Sequence, residues 1–134
     1  KENGLEGYII FTGHITKSQV RSLYHACSIA LFPVRSQGGW LAPFEALCAG
    51  KPVITSTTMG ASSLIKKENL GIVSDDFTAA VRDIYQKYGL FLNAAGRSKV
   101  WVRENLTWGS FTQKMTEVFS SLRKNHTSPE SRVR

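Results

Sequence analysis

Apolar and polar residues along this chain follow two rhythms that take turns. Tyr8 to Gly13, YIIFTG, is a short β-branched and aromatic run stopped by glycine, which predicts a buried strand. After it Val20, Leu23, Tyr24 and Cys27 recur at helical spacing, and Thr16 with Gln19 three positions on forms a capping-box start. Ser28 to Val34, SIALFPV, predicts a second buried strand with Pro33 at its end. Pro43 then fits the first turn of a helix, where a missing N–H costs nothing, and Gly50 fits the position just past its end. Pro52 to Ser56, PVITS, predicts a third strand; TTMGASSLIK reads as a glycine-broken loop entering a short helix; Leu70 to Ser74, LGIVS, predicts a fourth strand. Asp75 or Asp76 caps the next helix, which carries Phe77, Val81, Ile84 and Tyr88 on one face and stops at Gly89. Two more helices are predicted over about Leu90 to Asn105 and Thr107 to Lys124, the second with an apolar stripe of Phe111, Met115, Val118, Phe119 and Leu122. The last stretch, NHTSPESRVR, has no apolar period and predicts a disordered tail over 125–134.

Strand and helix in alternation, with short apolar strands, specify an α/β fold with a parallel sheet and right-handed crossovers. In such a sheet ligands bind outside the carboxyl ends of the strands. That rule selects four loops: Gly13 to Ile15, Arg35 to Trp40, Ser56 to Gly60, and Ser74 with Asp75. Gly38, Gly39, Gly60 and the hydroxyls of Thr55, Ser56, Thr57 and Thr58 gather there. Four strands make a thin sheet, and the polar lead KENGLEG reads as an upstream loop, so residues 1–124 are expected to be part of one domain whose earlier strands are missing.

Composition narrows the function classes. The 134 residues suffice for one core, and a hydrophobic fraction of 42% is ordinary for a globular protein. No apolar run reaches the ~20 residues of a membrane span. Cys27 and Cys48 have neither metal-ligand nor disulfide-framework spacing and read as small buried residues in a reducing, cytoplasmic setting. The N-x-[ST] matches at Asn105 and Asn125 read as chance. The net charge of +7 comes from basic residues that are mostly scattered, with no basic helix interleaved with stacking aromatics. A solvated surface is the expectation; contact with the cytoplasmic membrane face is the lesser alternative, and nucleic acid is not expected as a partner.

The stretch that carries candidate chemistry is SQGGWLAPFEALCAGKPVITS, Ser36 to Ser56. Glycines after a strand let a ligand approach the backbone, and N–H groups at a helix start attract phosphate or hydroxyls. Glu45 lies one turn inside an otherwise apolar helix. Its carboxylate suits two roles equally well: accepting two vicinal hydroxyls such as a ribose diol, or accepting hydrogen bonds from neighbouring backbone. His14, on the loop after the first expected strand, either lines a nucleotide pocket or sits on the surface.

The run S-Q-G-G-W-L-A-P-F-E-A-L-C-A-G-K-P-V-I resembles the E-x7-E signature of retaining glycosyltransferases of the GT-B fold, the group one family, also called family four. IIFTGHIT and LYHACSIALFPV upstream, and PVITSTTMGASSLI with LGIV downstream, stand in the family's order, so the resemblance covers about Gly7 to Tyr88. It implies the later part of a Rossmann-like C-terminal donor domain; the acceptor domain and the Arg and Lys that meet the diphosphate would lie upstream. Carried over by position, Glu45 matches the acid that accepts the ribose diol. Gln37 stands where the first acid, which contacts the donor sugar near the reacting carbon, belongs. Gly38, Gly39, Trp40 and Leu41 match the segment whose N–H groups face sugar and diphosphate. Departures are Gln37 for the acid, Gly39 for an aromatic, Trp40 for glycine, Ala42 for proline, and Met59 and Ser63 where Gly and Glu are usual. The resemblance implies a nucleotide-sugar donor, a glycan, lipid-linked or small-molecule acceptor, and neither metal nor cofactor. Two rivals remain: a non-catalytic sugar-nucleotide-binding relative, kept alive by Gln37, and a nucleotide-sugar epimerase of similar fold.

Overall fold

The computed structural model describes residues 4–35 and 41–126, the last three of them as backbone alone. The elements run α1 (Lys17–Ala26), β1 (Ala30–Phe32), α2 (Leu41–Cys48), β2 (Val53–Thr55), α3 (Ser62–Lys67), β3 (Ile72–Val73), α4 (Phe77–Gln86), α5 (Tyr88–Asn105) and α6 (Trp108–His126). The three strands form one parallel sheet in the order β1-β2-β3, with Ala30 opposite Val53 and Ile54 opposite Ile72. Each step to the next strand passes through a helix, as parallel pairing requires.

Side chains alternate across β2, and this divides the core in two. Val53 joins Ala30, Phe44, Ala46, Leu47, Ala61, Ile65, Leu70 and Val102, so α2, α3 and α5 cover that face. Ile54 points the other way, to Ala80 and Ile84 of α4, with Phe77, Val81, Tyr88 and Phe91 around them. The stripe expected from Phe77 to Tyr88 therefore faces the sheet. Thr55 is back on the first face, fully buried, and its hydroxyl meets that of Ser62 at 3.0 Å. Ser62 donates its one proton to the Ser56 carbonyl at 2.5 Å, so Thr55 donates to Ser62, and among the described residues no buried hydroxyl is left unpaired.

Local signals explain most element ends. Thr16 and Gln19 form the expected capping box at α1. Gly50 takes a φ of +75° just past α2, the left-handed conformation that ends helices. Gly71 sits where a Cβ would lie 2.8 Å from the Val53 carbonyl oxygen, so only glycine lets β3 start this close to β2.

Several expectations are corrected. The segment Tyr8 to Gly13 is not a strand: it lies outside the sheet, with Ile10 88% and Phe11 93% exposed. A β-branched, aromatic run forms a strand only against a neighbour that accepts its hydrogen bonds. The break after α4 falls at Lys87, whose φ of −123° and ψ of 32° leave the helical range, and Gly89 lies inside the first turn of α5. The stripe on α6 is amphipathic but uncovered among the described residues: Phe111, Val118, Phe119 and Leu122 are all exposed. Cys27 and Cys48 are free and half-buried rather than buried. Helix α6 runs to His126, two residues into the expected tail, and 127–134 lie outside the described residues. Among the described residues no helix is long and apolar enough to cross a membrane.

Candidate functional site

Helix α2 shows why an acid stands in an apolar helix. Pro43, Phe44, Ala46 and Leu47 are buried, whereas Leu41 and Glu45 are exposed. Residues four apart share a helix face. Glu45 thus occupies the one face of α2 that the core does not use, one turn from the helix start. Among the described residues no hydrogen bond or ion pair reaches its carboxylate. Its neighbour is Tyr24 of α1, whose hydroxyl donates to the Ala42 carbonyl at 3.3 Å. Burial first, then the Glu45 charge and the Cys27 thiol, hold the Tyr24 hydroxyl above the ordinary tyrosine value.

Because the sheet is parallel, the exits of β1, β2 and β3 share one edge. Hydroxyls sew these exits together. Ser56 and Thr58 both donate to the Val34 carbonyl, Thr58 at 3.1 Å. Thr57 donates its N–H to Asp75 at 2.9 Å and its hydroxyl to the other oxygen of the same carboxylate. Those two bonds, the hydroxyl's first, hold the Asp75 carboxyl below its usual value against a small opposing desolvation. Ser74 completes the seam, its N–H on the Thr55 carbonyl at 2.9 Å.

Val34 and Ser56, just past the exits of β1 and β2, therefore lie on one edge of a parallel sheet, as expected. The loop at Gly13 is not brought there by a strand, so His14, exposed and ahead of α1, is not joined to the edge by the sheet. Gln37, Gly38, Gly39 and Trp40 lie outside the described residues. Leu41 and Glu45 stand on the outward face of α2. Met59, one of the departures from the family's usual residues, is buried in the interior, and Ser63, the other, is exposed. Two residues take roles that the sequence did not assign them. Tyr24 looked like one more member of an apolar stripe. Asp75 looked like a spare cap; Asp76 caps α4 by accepting from the Ala79 N–H at 2.9 Å, which leaves Asp75 to Thr57. Two adjacent acids where one cap suffices was the available signal. Among the described residues no group of three His, Cys, Asp or Glu side chains is placed to hold a metal ion.

Comparison with known proteins agrees with this fold. The family model described as glycosyl transferases group 1 matches residues 1–87. An uncharacterized glycosyltransferase from Methanocaldococcus jannaschii is 22% identical over 121 residues, which is 87% of this chain and 31% of that protein. Sucrose-phosphate synthase from Thermosynechococcus elongatus is similar in structure with a TM-score of 0.73 at 19% identity, over 90% of this chain and 32% of that one. That likeness shows the fold, a partial Rossmann-like domain of the GT-B type. The chain spans about a third of the length of the relatives it matches.

Proposed function

The chain belongs to the glycosyl transferases of group 1, and from that premise we propose that it carries the nucleotide-sugar site of a retaining glycosyltransferase. The observation that carries the reading is Glu45: an acid with no described hydrogen-bond partner, exposed on α2 beside the carboxyl edge of the sheet. An ionised carboxylate is an acceptor with two oxygens, which matches the two hydroxyls of a ribose better than it matches a phosphate. In this reading the N–H groups of Gly38, Gly39, Trp40 and Leu41 face the donor sugar and diphosphate. Gln37 hydrogen-bonds the sugar without adding charge, and His14 lines the nucleotide side. Electrostatic stabilisation of the leaving diphosphate drives transfer. The cations for it and the acceptor site, for a glycan, a lipid-linked sugar or a small molecule, belong to parts of the protein upstream of this chain.

The test is made on the full-length protein with UDP-, GDP- and ADP-sugars as donors. Transfer with the donor's anomeric configuration kept, read by NMR of the product, supports the reading. An inverted product refutes the retaining part, and an epimerised donor without transfer assigns the protein to the epimerases. Gln37 in the acid's place favours one second reading, a relative that binds the donor without turnover; tight binding with neither transfer nor hydrolysis is its sign.

A further inference from the structure

We infer that Tyr24 is a positioning residue for Glu45, its hydroxyl fixing the first turn of α2 from which the acid projects; the inference rests on the donor-site reading above. Tyr24 stands in the last turn of α1. Its ring packs against the core cluster that holds Ala30, Phe44 and Leu47, and its hydroxyl reaches across to α2, where it donates to the Ala42 carbonyl at 3.3 Å. Ala42 and Glu45 are three residues apart and so share a face of the helix. It is the face the core leaves: Phe44, Ala46 and Leu47 are buried, Ala42 is half-buried and Glu45 is exposed. The core contacts of α2 are apolar, and apolar contact sets how near a helix lies to its neighbour without direction. A hydrogen bond has direction. Held at Ala42, α2 resists rotation about its own axis, and that rotation is the motion that would swing the Glu45 carboxylate.

The two side chains also feel each other's charge. Burial and then Glu45 hold the Tyr24 hydroxyl above its ordinary value, so it keeps its proton and remains a donor. A tyrosine has one proton, and here that proton goes to Ala42. Glu45 thus takes no hydrogen bond from its neighbour, and its oxygens stay open to a diol. Phenylalanine at position 24 would keep the ring and its apolar contacts and lose only the hydroxyl. The Ala42 carbonyl would still accept the helical N–H four residues on. The fold therefore loses little, and the effect is expected in the affinity for ribose rather than in melting temperature.

The experiment uses the full-length protein and the variants Tyr24→Phe, Glu45→Ala and the two combined. Each is titrated calorimetrically with UDP, GDP and ADP and with their 2′,3′-dideoxy analogues, and melted in parallel. For a nucleotide that wild type binds, Tyr24→Phe is expected to raise Kd about two- to fivefold, the worth of part of one neutral hydrogen bond. The dideoxy analogue should bind Tyr24→Phe and wild type alike, because the loss acts only through the acid that meets the diol. In the Glu45→Ala background Tyr24→Phe should add nothing further. Equal weakening of nucleotide and dideoxy analogue means a brace for the fold rather than for Glu45 and overturns the inference, as does a lowered melting temperature with unchanged Kd. A further loss on top of Glu45→Ala overturns it too. If wild type prefers the ribonucleotide and Tyr24→Phe keeps the whole preference, the inference alone fails. If wild type binds none of the nucleotides, or binds both forms equally, the proposed role of Glu45 fails and the inference with it.

Discussion

Glu45→Ala in the full-length protein should leave stability nearly unchanged while weakening nucleotide binding. The stability side follows from the structure. The side chain lies on the exposed face of α2 with no described hydrogen bond to lose, and alanine is the better helix former. Substitutions at such positions stay within about 0.5 kcal/mol, a shift of the order of 2 °C in Tm for a domain of this size. Binding is another matter. A hydrogen bond to a charged group is worth about 1.5–3 kcal/mol. Water competes at an exposed carboxylate, so the two bonds to a diol together come to about 1.5–3 kcal/mol, a tenfold to hundredfold rise in Kd. Glu45→Gln keeps the shape and loses the charge, and should fall between. Calorimetric titration with nucleoside diphosphate, with its 2′,3′-dideoxy analogue and with the complete donor separates the causes. The dideoxy analogue should bind wild type and Glu45→Ala alike, whereas Gln37→Ala should spare the free nucleotide and weaken only the sugar-bearing donor. Nucleotide binding as tight in Glu45→Ala as in wild type refutes the reasoning. So does a large drop in Tm accompanied by equal losses for both nucleotides, which would make the acid structural after all.

Other outcomes follow from the same geometry. Tyr24 should titrate above ordinary tyrosine, and Glu45→Gln should bring it part of the way down, burial being the larger cause; tyrosinate absorbance against a Tyr24→Phe reference shows this, and an unmoved Tyr24 would separate the two residues. Asp75, its carboxyl lowered by Thr57, adds stability that is fully present above the unfolded carboxylate value of about 4 and is lost as pH falls through the lowered one. Urea midpoints of wild type should therefore fall more steeply with acid than those of Asp75→Asn, and parallel curves would contradict it. Gly71→Ala forces a methyl group against the Val53 carbonyl and should cost about 1–3 kcal/mol in chemical denaturation, whereas a neutral result would mean the strands can part freely. The 134-residue chain alone should transfer no sugar, and the outer edge of β1, with no strand beside it among the described residues, should make it self-associate; Leu31→Lys should reduce that association in sedimentation, and monodisperse wild type at high concentration would exclude it.

Much of this layout was legible because it depends on neighbours in sequence. The capping box at Thr16, the proline and glycine that bracket α2, and the face from Phe77 to Ile84 are each complete within a few turns of chain. The position of Glu45 was legible, and its exposure became evident only once Phe44 and Leu47 were seen to take the core face. Pairings across distance were not legible. Tyr8 to Phe11 has a strand's composition, but composition does not supply a partner edge. The bonds between Asp75 and Thr57 join two loops whose proximity exists only because β2 and β3 lie side by side. On α6 the period of the stripe reveals an apolar face and says nothing about what covers it.

The order of the three strands also sets an order in time. β2 is flanked on both sides, and its residues Val53, Ile54 and Thr55 are at most 1% exposed, while among the described residues β1 and β3 each have one neighbour. Amide hydrogen exchange should rank accordingly, slowest in β2 and faster in the outer strands, because openings that release an edge need less free energy than those that reach the middle. The exits of β1 and β3 carry Val34 and Asp75, so the two outer exits can open while the Ser56 end between them stays closed. A ligand that bridges the exits would then slow exchange most at the two edges, where there is most opening left to suppress, and scarcely at all in β2.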